Sequence, residues 1–268
     1  MIKIFEVKKV KMESLSQTEN IGELILEVLN RLPKDSKINV AFLGYTDLML
    51  NTEQWSELGV SESDLENRSN FQKLITVHGR SDVTIVPTLS SALEALGKNV
   101  KLTVFDFEKV EGTEIEWDFN FPIDTKYEQK FDVVFDFGTC EHIFNLAQAF
   151  TNIHKMLNID GFVYHGGPLC WPNHGFYGYN PTLFCDFYED NCGEIIELYL
   201  STYLPSGQNF IVRNLPKYDR FRMRDVLQQK PEWLGLEFNL CVLVKKINHC
   251  QNITFPIQRR YRDMSKWV

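Results

Sequence analysis

Apolar residues fall at positions 21, 24, 25, 28, 29 and 32, the stripe of one helix face, which predicts a helix over Asn20–Leu32 stopped by Pro33. An apolar run, Ile38–Leu43, reads as the first strand and is closed by Gly44. Residues 45–86 are long, polar and irregular except for a possible helix near 53–58, and read as an insertion. Helical character resumes at Leu89–Leu96, with Ser90 or Ser91 available as a cap and Gly97 as the stop. Val100–Phe105 is the second strand, with Asp106 at its end, and Glu114–Trp117 a short third one leading to Asp118, Phe119 and Asn120. The fourth, Phe131–Phe135, is nearly all apolar and so should be buried on both faces. Asn145–Leu157 is amphipathic, with apolar residues at 146, 149, 150, 153, 156 and 157, and the Asp160-Gly161 turn leads to the strand Phe162–His165. After an aromatic loop at 166–180, Pro181 suits the start of a helix over Thr182–Asn191 and Gly193 its end. Strands at Ile195–Leu200 and Leu236–Lys245 complete the pattern.

Strand-like runs alternating with helical ones from residue 38 onward predict an α/β fold, a Rossmann-like sheet of parallel strands with helices on both faces. We expect one domain over residues 1–268, carrying the N-terminal helix, the 45–86 insertion and the 166–180 loop. The 268 residues are 44% apolar, 13% aromatic and 24% charged, which excludes disorder and fibrous structure. A net charge of −8 argues against nucleic acid as a partner. No run approaches the ~18–20 apolar residues of a membrane span. The N-terminus MIKIFEVKKVKMES has charges where a signal peptide is apolar, so a cytoplasmic protein is expected. The six cysteines form no CxxC pair, indicating neither a structural zinc nor disulfides, and the sequons at Asn67 and Asn252 are then chance matches. The basic cluster Arg259-Arg260-Tyr261-Arg262 reads as a solvated face or a contact in a homo-oligomer.

In an open parallel sheet, ligands bind beyond the carboxyl ends of the strands. Gly44 with Asp47, Asp106 with Phe107, Asp118 with Phe119 and Asn120, and Asp136 with Gly138 all fall at such ends. A glycine turn admits a ligand close to the backbone, and a strand-end carboxylate can accept both hydroxyls of a ribose. The set suits a nucleoside. Acidic residues and glycine are also simply common where strands end.

The stretch FDVVFDFGTCEHIFNLAQAFTNIHKMLNIDGFVYHGGP, residues 131 to 168, resembles the fourth and fifth motifs of class I S-adenosylmethionine-dependent methyltransferases, through its strand, Glu141-His142 pair, amphipathic helix and LNIDG turn. FLGYTD, residues 42 to 47, departs from the family, with one glycine where a GxGxG-like loop is usual. The resemblance implies S-adenosylmethionine as cofactor. Gly44 and Asp47 would lie near its methionine end, Asp106 with Phe107 at the ribose, Asp118, Phe119 and Asn120 near the adenine, and Asp136, Phe137 and Gly138 against it from the fourth strand. NAD is disfavoured, because no GxGxxG follows the first strand.

WPNHGFYGYNPTLFCDFY, residues 171 to 188, resembles the acceptor loop of a narrower group of these enzymes, found with surface-polysaccharide and sugar-nucleotide biosynthesis. The expected activity is O-methylation of a sugar hydroxyl, with a nucleotide sugar as the small-molecule partner. Trp171, Phe176, Tyr177 and Tyr179 offer apolar faces to sugar rings, and Asn173 and His174 offer hydrogen bonds. Such a loop could equally pack on its own domain. An alcohol must also lose its proton, and His174 is the first candidate base, followed by His142 with Glu141 beside it. His165 is either a substrate contact or a satisfied histidine at the end of a buried strand. Asp136, Glu141 and the histidines could supply metal ligands, but their spacing is not diagnostic and no metal is expected. Rival readings are a methyltransferase for an amine or phenol, and a catalytically silent interaction protein on the same fold.

Overall fold

The computed structural model describes residues 20–33, 36–203, 209–212, 237–250 and 252–262. The charged N-terminal run and Leu236 lie outside the described residues. Among the described residues, eight strands form one sheet: β1 (Ile38–Leu43), β2 (Val100–Asp106), β3 (Ile115–Glu116), β4 (Phe131–Phe137), β5 (Leu157–Pro168), β6 (Gly193–Tyr203), β7 (Asn209–Val212) and β8 (Asn239–Lys246). Their order is β3-β2-β1-β4-β5-β8-β6-β7. The first five are parallel, whereas β8 is antiparallel to both β5 and β6, and β7 is antiparallel to β6. The sheet is therefore mixed rather than wholly parallel. The short strand β7 was not predicted.

Successive side chains of a strand point to opposite faces, and both faces here are covered. From β1, Ala41 and Leu43 enter one core with Val134 of β4, Val163 of β5 and Val242 of β8, while Val40 and Phe42 enter the other with Val133, Phe135 and Leu243. The first core is closed by α5 (Leu146–Met156) and α6 (Pro181–Asp190), the second by α1 (Ile21–Leu29) and α4 (Leu89–Ala95). An α/β Rossmann-like sheet with helices on both faces is thus the architecture.

Helix α1 starts at a full capping box: Asn20 accepts from the Glu23 amide at 3.0 Å and Glu23 accepts in return from the Asn20 amide at 3.0 Å. The cap of α4 is Thr88, not Ser90 or Ser91. Both serines already lie inside the helix, and only Thr88, with extended backbone, can turn its hydroxyl to the Ser91 amide, at 3.2 Å. Nor is 45–86 irregular. It forms α2 (Thr52–Glu57), a single helical turn at Glu62–Asp64 and α3 (Phe71–Val77), and buries Leu48, Leu50, Trp55, Val60 and Ile85 in the second core. None of the residues of α3 is buried, and its apolar stripe, Phe71, Leu74 and Ile75, spans barely one turn, too short to have been read as a helix. The basic tail is a short helix, α7 (Arg259–Arg262), tied to the acidic face of α6: Arg259 pairs with Glu189 at 2.7 Å and Arg262 with Asp190 at 2.5 Å.

Asn152 of α5 is fully buried. Its amide donates to the Phe121 and Phe119 carbonyls at 2.8 and 3.3 Å and accepts from the Ile123 amide at 2.9 Å, which fixes the β3–β4 loop. Asn152→Leu leaves these backbone groups without partners and should lower unfolding stability by about 1–3 kcal/mol or more, read from the midpoint of urea denaturation. An unchanged midpoint would show that the loop finds other partners.

Candidate active site

Strand order reverses direction of growth at β1, whose neighbours are β2 and β4. This switch point is where open α/β sheets bind ligands. Gly44 ends β1 in the left-handed region, with φ +71°, and Gly138 ends β4 there too, with φ +82°. Between them, the Thr139 hydroxyl donates to the Leu43 carbonyl at 2.6 Å. A Cβ on Gly44 would stand 2.7 Å from that hydroxyl oxygen, so glycine is required both by backbone and by space.

Asp136, fully buried near the end of β4, organises the next layer. Its Oδ1 accepts from the Thr139 and Cys140 amides at 3.0 and 3.1 Å. Parallel register sets His165 of β5 directly beside it, and His165 Nδ1 lies 2.7 Å from Asp136 Oδ2. The other ring nitrogen, Nε2, lies 2.6 Å from the Tyr188 hydroxyl of α6. Burial alone would raise the Asp136 carboxyl, but the His165 contact and the two amides outweigh it and hold it below the usual carboxylate range. His165 is therefore a fully buried, fully engaged residue.

After β4 a single tight helical turn, Cys140–His142, buries Cys140 and Glu141 and turns His142 outward. Tyr179, itself buried, holds its hydroxyl 3.1 Å from Asp136 Oδ2 and 3.2 Å from Glu141 Oε2. One phenolic proton serves two carboxylates. Desolvation first, and then the charge of Asp136, push Glu141 from its ordinary 4.5 up to about 7. Its other oxygen, Oε1, is buried and without a hydrogen-bond partner. The 166–180 loop folds back onto it: Phe176 N donates to the Glu141 carbonyl at 2.8 Å, and Asn173 and Gly175 take φ +60° and +68° on either side of His174. His174 Nε2 thereby stands 3.5 Å, and His142 Nε2 3.9 Å, from Glu141 Oε1. The two imidazole rings are 5.0 Å apart, with Trp171 5.1 Å from His174. Partial burial and its neighbour His174 lower the His142 pKa.

These groups line a cleft of about 380 Å³ beyond the ends of β4 and β5. Phe137, Gly138, Glu141, His142, Trp171 and His174 of the sequence-selected residues face it. So do residues the sequence reading missed: Tyr164 of β5, Tyr199 and Ser201 of β6, Ile211 of β7, Asn239 and Cys241 of β8, and Asn20, Ile21 and Leu24 from the start of α1. The available signals were the alternation of β5, β6 and β8 and the apolar stripe of α1, neither of which shows that these elements meet at one cleft. Asp136, His165 and Tyr179 lie behind the cleft as support.

The other selected residues lie elsewhere. Asp47 is paired with the buried guanidinium of Arg68, which stacks on Tyr45 with 3.9 Å to the ring centroid. Asp106 accepts from the Tyr45 amide at 3.0 Å and the Glu108 amide at 3.3 Å. Phe107 beside it is 68% exposed. Asp118 accepts from Asn120, whose side-chain Oδ1 in turn accepts from the Asn145 backbone amide at 2.8 Å. Phe119 is a core residue against Phe105. Tyr177 donates to the Phe144 carbonyl at 2.8 Å, and Asn173 is an exposed turn residue.

No family model matches the chain, and no curated protein matches its sequence. Solved structures with a similar backbone include a C-methyltransferase domain of the citrinin polyketide synthase, 12% identical with a TM-score of 0.42, over 72% of this chain and 50% of the other. The chain thus spans half the length of that solved chain. The cyclase SpnF is 9% identical at a TM-score of 0.45, over 85% of this chain and 81% of its own. An O-methyltransferase segment of StiE is 12% identical at 0.42, over 84% and 73%. The functional reading therefore rests on the geometry of the site. Among the described residues, no helix is long and apolar enough to cross a membrane.

Because Glu141 ionises in the unfolded chain near 4.5 but in the folded one near 7, the folded state holds the extra proton between these values. Stability should fall as pH rises through that window, by about 2–3 kcal/mol, and stay low above it. With EDTA present, thermal melts at pH 5 and pH 8 should show this loss, and Glu141→Gln should shrink it. An equal loss in the variant would assign the effect to another group.

Proposed function

We propose that this chain transfers the methyl group of S-adenosylmethionine to a hydroxyl of a sugar, most naturally a nucleotide-activated sugar of surface-polysaccharide synthesis. The observation that carries the reading is the position of the cleft: it opens beside the β1/β4 switch point and is walled on one side by the aromatic loop that carries Trp171 and His174.

The residues at the strand ends fit the cofactor. Asp106 keeps free lone pairs after accepting two amides, enough for two ribose hydroxyls, and the exposed ring of Phe107 offers a face to the adenine, with Asp118 and Asn120 at its edge. The Asp136 carboxylate, held below the usual carboxylate range, favours a positively charged group near Gly138. When bound, the cofactor supplies a methyl group on a cationic sulfur. The chain's task is then to hold the acceptor oxygen about 3 Å from that carbon. Tyr164, Tyr199 and Trp171 give the sugar apolar faces, Ser201 and Asn239 give it hydrogen bonds, and the hydroxyl loses its proton at the Glu141, His142 and His174 group.

Incubation with S-adenosylmethionine and a panel of nucleotide sugars, amines and phenols should yield a mass gain of one methylene on a sugar. Gain only on an amine or phenol would move the acceptor class, and no binding of S-adenosylhomocysteine by calorimetry would overturn the reading. Asp106→Ala should weaken that binding by about 1.5–3 kcal/mol, as for hydrogen bonds to a charged group. Trp171→Ala should raise the acceptor KM while leaving S-adenosylhomocysteine affinity unchanged.

A further inference from the structure

We propose that Glu141, His142 and His174 form a binding site for a divalent first-row transition cation, whose open positions face the cleft and take two neighbouring hydroxyl oxygens of the acceptor. The cation site stands on its own geometry; its use in holding the acceptor rests on the methyl-transfer reading above.

Each of the three side chains presents one donor atom, and these atoms all lie within 4.8 Å of one another. The carboxylate is the unusual member. Glu141 is 0% exposed, and its Oε1 is buried with no hydrogen-bond partner, an arrangement that costs free energy unless something else satisfies the oxygen. Two imidazole nitrogens face it at 3.5 and 3.9 Å, too long for hydrogen bonds. Ligand atoms about 2.0–2.2 Å from one ion stand roughly 3–3.5 Å apart, so a small turn of the two part-exposed rings closes the set around a common centre.

The support is also present. Tyr179 engages Oε2 of the same carboxylate and leaves Oε1 for the histidines, as a partner of a metal ligand does. The left-handed residues Asn173 and Gly175, with the Phe176 amide on the Glu141 carbonyl, fix His174 over the site. A Cβ on Gly175 would come within 2.8 Å of that carbonyl, so the loop cannot approach this closely with another residue there.

Two imidazoles with one carboxylate suit manganese, iron, cobalt or zinc better than magnesium or calcium, which prefer an all-oxygen shell. Three protein ligands leave positions open, and all three residues line the cleft. A second cluster, Asp136, Cys140 and His165, is fully buried and is no rival. Both nitrogens of His165 are already spent on Asp136 and Tyr188. In this assignment the histidines serve as ligands; the ion would lower the pKa of the hydroxyl it holds, and the proton would leave to water in the cleft rather than to an imidazole.

The full-length protein, stripped with a chelator, is titrated with Mn²⁺ and Co²⁺ by calorimetry, with the visible spectrum of Co²⁺ as a second readout. One ion per chain should bind, and His142→Ala, His174→Ala and Glu141→Gln should each raise Kd by at least ~10-fold. His142 and His174 have side chains 51% and 39% exposed, so their variants keep the fold if Glu141→Gln does not. Cys170→Ser should bind as the wild type does. Absence of saturable binding at one ion per chain, or loss of binding in Cys170→Ser with the two histidine variants unaffected, overturns the site. The methyl-transfer reading is separable from it. Methyl transfer at full rate in the stripped, chelated protein would remove the cation from the reaction while leaving that reading intact. Ion binding without S-adenosylhomocysteine binding would do the reverse.

Discussion

One buried carboxylate, Asp136, ties together every part of the site. Its two oxygens receive two backbone amides, an imidazole nitrogen and a phenol, drawn from the turn after β4, from β5 and from the loop before α6. A charge at full burial is tolerable only when its hydrogen bonds are complete, so these contacts are obligatory for the fold. The turn they fix is the one that presents Glu141 and His142. Through Tyr179 the same carboxylate also sets the position of Glu141, and through His165 it reaches Tyr188 of α6.

The consequence is a division between support and surface. Asp136, His165, Tyr179 and Tyr188 are buried and saturated, and define a rigid wall. In front of it stand groups that are not saturated: the orphan oxygen of Glu141, the half-exposed His142 and His174, and the buried indole nitrogen of Trp171, which has no partner. Unsatisfied polar atoms beside a fully bonded network mark where a ligand completes the structure. Burial first, and then the negative charge of Asp136 behind it, raise Glu141, and that charge favours cationic occupants in front.

The insertion stabilises the other end of the switch point. Arg68, 5% exposed, stacks on Tyr45, pairs with Asp47 and donates to the Glu111 carbonyl at 3.2 Å, which joins the loop after β1 to the one after β2. A Cβ on Gly112 would stand 2.1 Å from the Tyr45 ring, so that loop too is closed over the aromatic residue. The single-glycine loop after β1 thus gains from Tyr45 and Arg68 a fixed shape.

Elements with a strong period were legible from the residues alone. The first strand was read with its observed bounds, and the helices α1, α4, α5 and α6 within a few residues, because their apolar positions repeat over two or more turns or fill a whole buried strand. The short elements α3 and β7 were not read, nor was the antiparallel placement of β8, since neither direction nor neighbour is written in a strand's own pattern. Glu141, His142 and His174 were each selected as chemical groups, but 32 residues separate the last two, and no local spacing announces that they meet. Their meeting depends on the left-handed backbone around His174 and on the β4–β5 register that sets His165 beside Asp136. Likewise, Asp47 is a carboxylate at a strand end by sequence, and only the folded insertion gives it to Arg68. The chain's own period thus determined which segments are helix and strand and which faces they bury. Tertiary structure decided which polar groups are saturated and which remain open, because that depends on partners distant along the chain.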